Sequence, residues 1–446
     1  MDDCRPAKGG PEMKAHLKYL GILIVGVLVL GGGNARGETL QDAVNYLLQS
    51  NPEVRAVSWN RLARDQEVRE AQSQYWPTLD IRSGIGIEEQ YEPFRDTVRP
   101  NSTVAGLRYN VYHFGTTMHE VDRQRARVRS AAYRLQGTSE NVALVASRYY
   151  LNVLRQLELY DLAVENLTNH ERIHDQAKLR AGSGVDSKAD LDQVAGRLSL
   201  AQSNVVVAKQ NLIDAETDYQ AVIGHLPEDL VKPDSVDSAL PASMEEAEQL
   251  ALDQYPLLKS ARADYEARQE QHTVAKRAVY PSFDVAVDYK WQDDVDIVGW
   301  QEELVATGYV SFNLFRGWWD DARVKQTRHE VCEAWEIMNN ARRETVQSVR
   351  LSWKAYDAAK AQIAHLQDYV DSTGMTVEAF RQQWSIGRRT MFDVLDIEAE
   401  YITAKGDLVN ARYDEIYAQF RILSGTGKLV HTLGLEWPAE SRIETN

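Results

Sequence analysis

An internal repeat constrains this chain more than any other feature of its 446 residues. At an offset of 204 positions, Trp76–Asp80 matches Tyr280–Asp284, and at an offset of 203 Gly224–Leu226 matches Gly427–Leu429. A nearly constant offset over most of each half indicates two copies of one structural unit. Coincidence among Ala-rich helical segments is the alternative. If there are two copies, the fold must bury the same apolar pattern twice.

Each copy predicts the same series of elements. A helix ends at a Trp-Pro or Tyr-Pro pair, because proline cannot continue a helix. Two strands follow, and then two long helices separated by a glycine turn. This divides the chain into an export signal (residues 1–37), a first repeat (38–230, with strands at about 77–114 and a long helix pair at about 117–224), a linker (231–242), a second repeat (243–430, with strands at about 281–315 and a long helix pair at about 318–427) and a C-terminal tail (431–446).

Heptads mark the long helices as coiled coils. Apolar residues recur every seven positions, in the first copy at Val121, Val128, Leu135, Val142 and Tyr149. In the last helix Ala404, Ala411 and Ala418 share one register, and small residues let helices approach closely. The first long run, from about 117 to 180, extends roughly 95 Å at the α-helical rise of about 1.5 Å per residue. Such a helix does not fold back into a compact globule.

The predicted strands alternate between apolar and polar residues. Apolar side chains of the second copy, at Phe283, Val285, Val287, Tyr289 and Trp291, alternate with Asp284, Ala286, Asp288 and Lys290. Val310, Phe312 and Leu314 predict a weaker returning strand, and the polar segments at 88–100 and 292–299 predict strand connections. This pattern suits a transmembrane barrel or a half-buried hairpin of a soluble domain. Four strands are too few for a barrel of useful width, so several chains would share one.

The N-terminal segment predicts export. Basic residues precede an apolar run, Tyr19–Leu30, which is too short to span a bilayer as a helix, and cleavage after Ala35 or Gly37 suits the small residues there. A retained membrane anchor is the alternative. The two cysteines are Cys4 and Cys332, so loss of the signal leaves no partner for a disulfide. The net charge of −16 argues against a nucleic-acid partner.

Two glycine turns carry the polar residues of greatest interest. In the segment 384–396, Gly387 breaks the helix, and Asp393 and Asp396 then lie on one face of the next helix. The segment 183–193 occupies the same place in the first copy. We expect the two turns to form one end of a tube, with carboxylates lining its mouth.

The duplicated plan resembles the TolC-type outer-membrane channel proteins (outer membrane factors). The most specific stretch begins at Gly387 and reads GRRTMFDVLDIEAEYITAKGDLVNARYDEIYAQFRILSGTGKL. The resemblance implies a mainly α fold with β-strands, in which a homotrimer forms a transmembrane β-barrel continuous with a periplasmic α-helical coiled-coil barrel. It also implies contact with outer-membrane lipid, docking to a periplasmic adaptor (membrane fusion) protein, and an inner-membrane transporter that is either ABC-type or proton-driven.

The resemblance also assigns roles to residues. Asp393 and Asp396 match the acidic entrance, Arg389 the gating arginine, and Asp190 an aspartate of the gate's polar links, while Trp384 stands where the family pattern has a tyrosine. The helix tips expected to meet the adaptor are Gly184, Val185, Gly387 and Arg388. Capped, solvated helix starts are the alternative interpretation, because aspartates are favoured near a helix N-terminus anyway.

The sequence of His170–His174 spells HExxH, which on a helix can bind zinc and points to a protease. The longer zincin form is missing, the second copy has no equivalent, and we expect the stretch to lie on an exposed helix. We therefore predict no enzyme and no cofactor. The leading function is an exit duct for type I protein secretion, with multidrug efflux as the alternative. A periplasmic coiled-coil spacer without a pore, or remotely a zinc protease, represents another class.

Overall fold

The computed structural model describes residues 37–90, 96–184, 187–295 and 299–443. The predicted signal peptide apart from Gly37, together with Cys4 and Val185, lies outside these residues. Both copies share the order of two helices, two strands and two long helices, to which the first copy adds β2 and β3 and the second adds α9. The first comprises α1 (Leu40–Ser50), α2 (Pro52–Ser73), β1 (Thr78–Ile85), β2 (Glu88–Gln90), β3 (Asp96–Val98), β4 (Asn101–Tyr112), α3 (Thr116–Gly182) and α4 (Lys188–Ile223). The second comprises α5 (Met244–Gln254), α6 (Pro256–Arg277), β5 (Ser282–Asp293), β6 (Trp300–Ser311), α7 (Trp319–Ser385), α8 (Met391–Gly425) and α9 (Leu429–Thr432).

Local sequence explains where the short helices begin. Thr39 caps α1, with Asp42 completing a reciprocal capping box. The side chain of Asn51 caps α2, and Pro52 follows at the first helical position, where its missing N–H costs nothing. In the second copy Pro256 holds the same position in α6. Both copies thus place a proline at the start of this helix, although Tyr255 gives α6 no side-chain cap.

The long helices pack side by side. Helices α3 and α7 each have 67 residues, a length of about 100 Å. Each packs against the second long helix of its own copy, and α3 also packs against α8, which gives the order α4–α3–α8–α7. Ala201 and Ala404, two alanines of the heptad pattern, are buried, so the helices approach closely there. Within the described ranges, no helix combines the length and apolarity needed to cross a bilayer.

The strands form one antiparallel sheet of order β1–β4–β5–β6, with β4 of the first copy beside β5 of the second. Its register places Leu79, Leu107, Val287 and Ala306 in one row across the four strands. The opposite face is polar, and there Arg108 donates to Asp288 at 2.6 Å across β4 and β5. Strands β1 and β6 each have one neighbour in this sheet, so both outer edges are free of a strand partner within the described chain.

Two expectations about the strands were wrong in detail. The segment 88–100 is more than a connection, because β2 and β3 pair there as a small hairpin. The last strand runs from Trp300 to Ser311, so Phe312 and Leu314 lie beyond it. The acidic residues in its first half interrupt the apolar alternation, so the sequence pattern did not predict a strand there. In the structure these residues have partners on β5: Glu303 pairs with Lys290 at 3.2 Å, and Glu302 accepts from Tyr289 at 3.0 Å.

A buried carboxylate holds the C-terminal segment against α3. Glu140 is 1% exposed. It accepts hydrogen bonds from the backbone N–H groups of Leu429 and Val430, at 3.0 and 3.3 Å, and from the Trp437 indole at 2.9 Å. Burial raises the pKa of Glu140 to about 7, although all three donors favour the charged form.

The segment between the copies crosses from one helix pair to the other. Near α3 and α8, Lys232 pairs with Glu158 at 3.1 Å. Farther along, Asp237 accepts from Tyr356 of α7 and Gln419 of α8, at 3.2 and 2.7 Å. The linker therefore ties the two copies together at the level of the main apolar core.

Candidate functional site: the paired helix turns

The two long-helix turns lie together. We call residues 183–187, between α3 and α4, the first turn, and residues 386–390, between α7 and α8, the second turn. A small apolar cluster beside them draws on all four long helices, and its members are Ile173, Ala177, Leu191, Val194, Phe380, Trp384, Met391, Phe392, Val394 and Leu395. The expectation that both turns meet at one end agrees with this packing.

A glycine in the left-handed region ends each first helix. Gly184 has a φ of 76° and Gly387 a φ of 72°, a conformation that residues with a Cβ adopt at a cost. After α7, the N–H of Gly387 donates to Trp384 O and that of Arg388 to Gln383 O, each at 2.9 Å. The described atoms leave open space around both glycines, so backbone conformation and not crowding calls for glycine here.

Asp190 and Asp393 both cap the helix that follows their turn. The Asp393 carboxylate accepts from the Thr390 hydroxyl at 2.8 Å and from its N–H at 3.1 Å, while Asp393 N–H donates back to Thr390 at 3.2 Å. Asp190 and Ser187 form the same capping box. Hydrogen bonds from the Thr390 hydroxyl and then its N–H lower the pKa of Asp393 below its usual range. The capped-start interpretation therefore describes the local geometry of both aspartates.

Asp396 has a different partner. Its side chain is 66% exposed and accepts from Arg197 of α4 at 2.6 Å. Asp393 and Asp396 thus both lie in the first turns of α8. Asp393 bonds to the cap residue of its own helix, whereas Asp396 contacts the first copy.

Arg389 contacts its own hairpin. Its guanidinium lies 3.8 Å from the centre of the Phe380 ring, its Nε donates to Gln383 at 3.1 Å, and it stands 4.0 Å from Asp393. Among the described residues, no contact joins Arg389 to Asp190, so the structure does not bring these two predicted gate residues together. Arg388 is exposed beside it.

Trp384 joins the two hairpins through its ring. The indole is half-buried and lies 5.5 Å from the Arg180 guanidinium of α3, a cation–π distance. The family pattern has a tyrosine here. Trp384 replaces a hydroxyl with a larger π-face, which contacts the neighbouring hairpin without an oxygen acceptor.

The sequence did not predict a buried ion pair near the second turn. Glu398 of α8 is 2% exposed and accepts from Arg381 of α7 through both Nε and a terminal nitrogen at 2.7 Å. The signal for it is a carboxylate four residues after the buried Val394, hence on the stripe that faces the rest of the helix bundle. Its partner, Arg381, lies on the helix before the turn, and the periodicity of one helix does not identify a partner on another.

The HExxH stretch behaves as part of a coiled coil. His170 is 6% exposed, so the expectation that the stretch lies on an exposed helix was wrong for this residue. Its Nδ1 lies 2.9 Å from Asn166 O, one helical turn earlier. His174 is half-buried, with Nδ1 3.7 Å from Asp175. In the described part of the chain, no group of three or more His, Cys, Asp or Glu residues is placed to hold a metal ion.

Comparison with known protein families shows which family the chain belongs to. The family model described as "Outer membrane efflux protein" matches residues 43–225 and 248–427, most of the chain. The chain belongs to this family. Its members are channel proteins of the outer membrane, so the predicted resemblance and location are confirmed, as is the mainly helical fold with some sheet.

Similar proteins span nearly the whole chain. Outer membrane protein TolC of Escherichia coli K12 is 25% identical over 93% of this chain and 87% of its own length. Proteases secretion protein PrtF of Dickeya chrysanthemi is 23% identical over 92% of each chain. The crystal structure of the Campylobacter jejuni CmeC outer membrane channel has the same fold, with a TM-score of 0.78 at 14% identity over 94% of each chain.

Proposed function

We propose that this protein is the exit duct of a tripartite export system and that three copies close around one axis. The open order of its elements carries the proposal. The four long helices run α4–α3–α8–α7 and the strands β1–β4–β5–β6, and among the described residues α4 does not pack extensively against α7 and β1 does not pair with β6. An open sheet edge is a template for another strand. Pairing β6 of one copy with β1 of the next would satisfy both edges and give a barrel of twelve strands.

Exposed apolar residues on the outer elements support closure by further copies. Helix α4 carries Leu200, Val206 and Val207, which are between 55 and 69% exposed, and α7 carries Leu351 and Met375 at 57 and 69%. Helices α4 and α7 are the two ends of the helix series, so a neighbouring copy would cover the first set with the second. The apolar sheet face, including Ile81 at 73% exposure, then faces lipid.

The turns are the proposed periplasmic end. Three of the four predicted adaptor contacts, Gly184, Gly387 and Arg388, are exposed, and Val185 lies outside the described residues. The proposed gate comprises Asp190, Trp384, Arg389, Asp393 and Asp396. We assign the N-terminal 37 residues to an export signal, residues 38–230 and 243–430 to the two repeats on either side of the linker 231–242, and residues 431–446 to a C-terminal tail.

The proposed cargo is a protein secreted by a type I system. PrtF, which matches over 92% of each chain, is named for the secretion of proteases, and the last helix pattern from Gly387 supports the same choice. Export of small toxic molecules is the second candidate, favoured by the efflux description of the family model. An adaptor and an ABC or proton-driven transporter of the inner membrane complete either system.

Deletion of the gene in its own host tests the cargo. Type I secretion predicts that a protein disappears from the culture supernatant while the inhibitory concentrations of dyes and detergents stay unchanged. Restoring the gene on a plasmid serves as the control. An unchanged supernatant together with a marked drop in those concentrations would instead support efflux, and no change in either would contradict the duct.

A further inference from the structure

A pocket of about 590 Å³ lies where the second repeat joins the C-terminal tail. It is formed by the start of α6, the end of α8, α9 and the tail. The side chains that line it carry positive charge, an amide, a hydroxyl or a ring, and they are Gln254, Lys259, Lys428, His431, Thr432 and Trp437. No carboxylate of the described chain is among them. The volume is in the range of pockets that hold small molecules.

Two lysines supply the charge of the pocket. Lys259 and Lys428 are both half-buried, and within the described ranges neither forms an ion pair with a carboxylate. The Lys259 ammonium lies 5.8 Å from the centre of the Tyr133 ring. Burial and then Arg262 lower the pKa of Lys259, although Asp253 acts in the opposite direction. An anion in the pocket would supply the counter-charge that both lysines lack.

Trp437 provides an apolar wall whose position is already fixed. Its indole N–H donates to the buried Glu140 at 2.9 Å, and its ring centre lies 4.3 Å from that of His431. His431 is held in turn, because its Nδ1 lies 3.1 Å from Leu435 O. A wall that is positioned before a ligand arrives lowers the entropic cost of binding.

Acidic residues occupy the corresponding positions of the first copy. At the offset of 203, Glu228 and Asp229 stand in place of His431 and Thr432. The shared backbone plan therefore does not require positive charge at this corner. The sequence of the second copy alone makes it cationic.

Lysines without an arginine favour phosphate over carboxylate. A planar carboxylate matches the fork of a guanidinium group, whereas ammonium groups act as point charges and suit a compact dianion. A phosphate monoester is such a dianion over most of its population at neutral pH. Inorganic phosphate is much smaller than the pocket, so we expect an organic part that packs beside Trp437.

The pocket lies beyond the reach of lipid headgroups. Helix α6 extends from it toward the sheet for 22 residues, which is about 33 Å. The polar layer of one leaflet is about 5 to 8 Å thick. With the sheet in the membrane, as proposed above, the phosphate must belong to a soluble molecule.

We propose that this pocket binds a soluble phosphate monoester, with the phosphate held by Lys259 and Lys428 and the organic part packed on Trp437. These three residues belong to α6, to the joint between α8 and α9, and to the C-terminal tail. The bound molecule therefore ties the tail to two helices. Binding itself does not depend on the proposed duct, and only the choice of a soluble ligand over a lipid rests on that function.

Isothermal titration calorimetry of the detergent-solubilised protein with phenyl phosphate tests the site. We expect saturable binding of one molecule per chain. Lys259→Gln and Lys428→Gln should each weaken the affinity about tenfold, the low end for loss of a charged partner at a partly exposed site. Arg55→Gln removes the cation at the matching position of the first copy and should leave the affinity unchanged.

Charge reversal provides a second test of the same pocket. Thr432→Asp gives the second copy the acid that Asp229 supplies in the first, and it should weaken binding far more than Thr432→Asn, which is similar in size but uncharged. Hydrogen exchange along 428–443 should slow when phenyl phosphate binds wild type. No binding to wild type, or binding that survives both lysine substitutions, would overturn the proposal.

Two competitors test the chemistry and the source of the ligand. Benzoate, a carboxylate with the same ring, should bind more weakly than phenyl phosphate, and equal affinity would overturn the preference for phosphate. Micelles that contain phosphatidic acid, a lipid with a phosphate monoester, should not displace phenyl phosphate. Displacement would overturn the assignment to a soluble ligand.

Discussion

The two turns share their backbone conformation and helix caps but differ in the side chains that pack next to them. Each has a glycine with positive φ, followed by a hydroxyl cap and an aspartate three residues later. Behind the second turn, Arg381 and Glu398 form a buried pair. At the equivalent positions of the first copy stand Lys178, which is exposed, and Ala195.

Aromatic residues follow the same division. Phe380 and Trp384 flank the second turn, while Ala177 and Ala181 occupy those positions in the first copy. The second hairpin therefore carries both the large side chains and the specific polar link, and the first offers a smoother surface for it to pack on. Local turn chemistry forms the tip of each hairpin, and tertiary contacts make the two tips different.

Removal of the buried pair should have the largest effect. Arg381→Ala leaves Glu398, which is 2% exposed, without its cation. We expect a loss of about 3 kcal/mol, the low end for a broken buried pair, because Arg381 is itself partly exposed. Hydrogen exchange along 375–400 measures the loss. Lys178→Ala is the matched control and should change exchange little in 172–197, whereas equal effects in both hairpins would contradict the difference drawn here.

A second difference between the copies should appear as a pH dependence. Glu140 is buried, and its equivalent in the second copy, Arg343, is exposed. The pKa of Glu140 rises from 4.5 to about 7 on folding, so the folded state binds more protons in that interval. Stability should fall as pH rises from about 4.5 to about 7, by about 3 kcal/mol from this group.

Denaturant midpoints of detergent-solubilised protein at pH 5 and pH 8 measure this dependence. Glu140→Gln should reduce the difference between the two midpoints, since the amide does not titrate. The variant should also lower the midpoint at pH 5, because its NH2 group faces backbone donors. Arg343→Gln should keep the wild-type difference. A Glu140→Gln variant that retains the full wild-type pH difference would show that another group carries it.

The caps should give the smallest effect and the same one in both copies. Thr390→Ala and Ser187→Ala each remove a side-chain acceptor from the start of a long helix. A loss of about 1 kcal/mol is expected at each site. Hydrogen exchange in the first turns of α8 and α4 compares them directly. A clearly larger loss at Thr390 would mean that its cap depends on the tertiary contacts of the second hairpin.

Features set by neighbours in the chain were predictable. Gly387 pointed to a turn, the aspartates after it were compatible with a capped helix start, and heptads pointed to the long helices. Features set by distant residues were not. Arg197 and Asp396 are 199 positions apart, and nothing in either helix reveals the other. The first half of β6 was missed for the same reason, because its acidic residues gain partners only from β5.

The mass of the detergent-extracted particle tests the central claim most directly. In the proposed duct, further copies of the chain complete the open series of helices and strands. Multi-angle light scattering of protein extracted from the outer membrane, corrected for bound detergent, should give three times the mass of one mature chain. A particle with the mass of a single chain, and with helical content intact by circular dichroism, would contradict closure by copies and with it the duct.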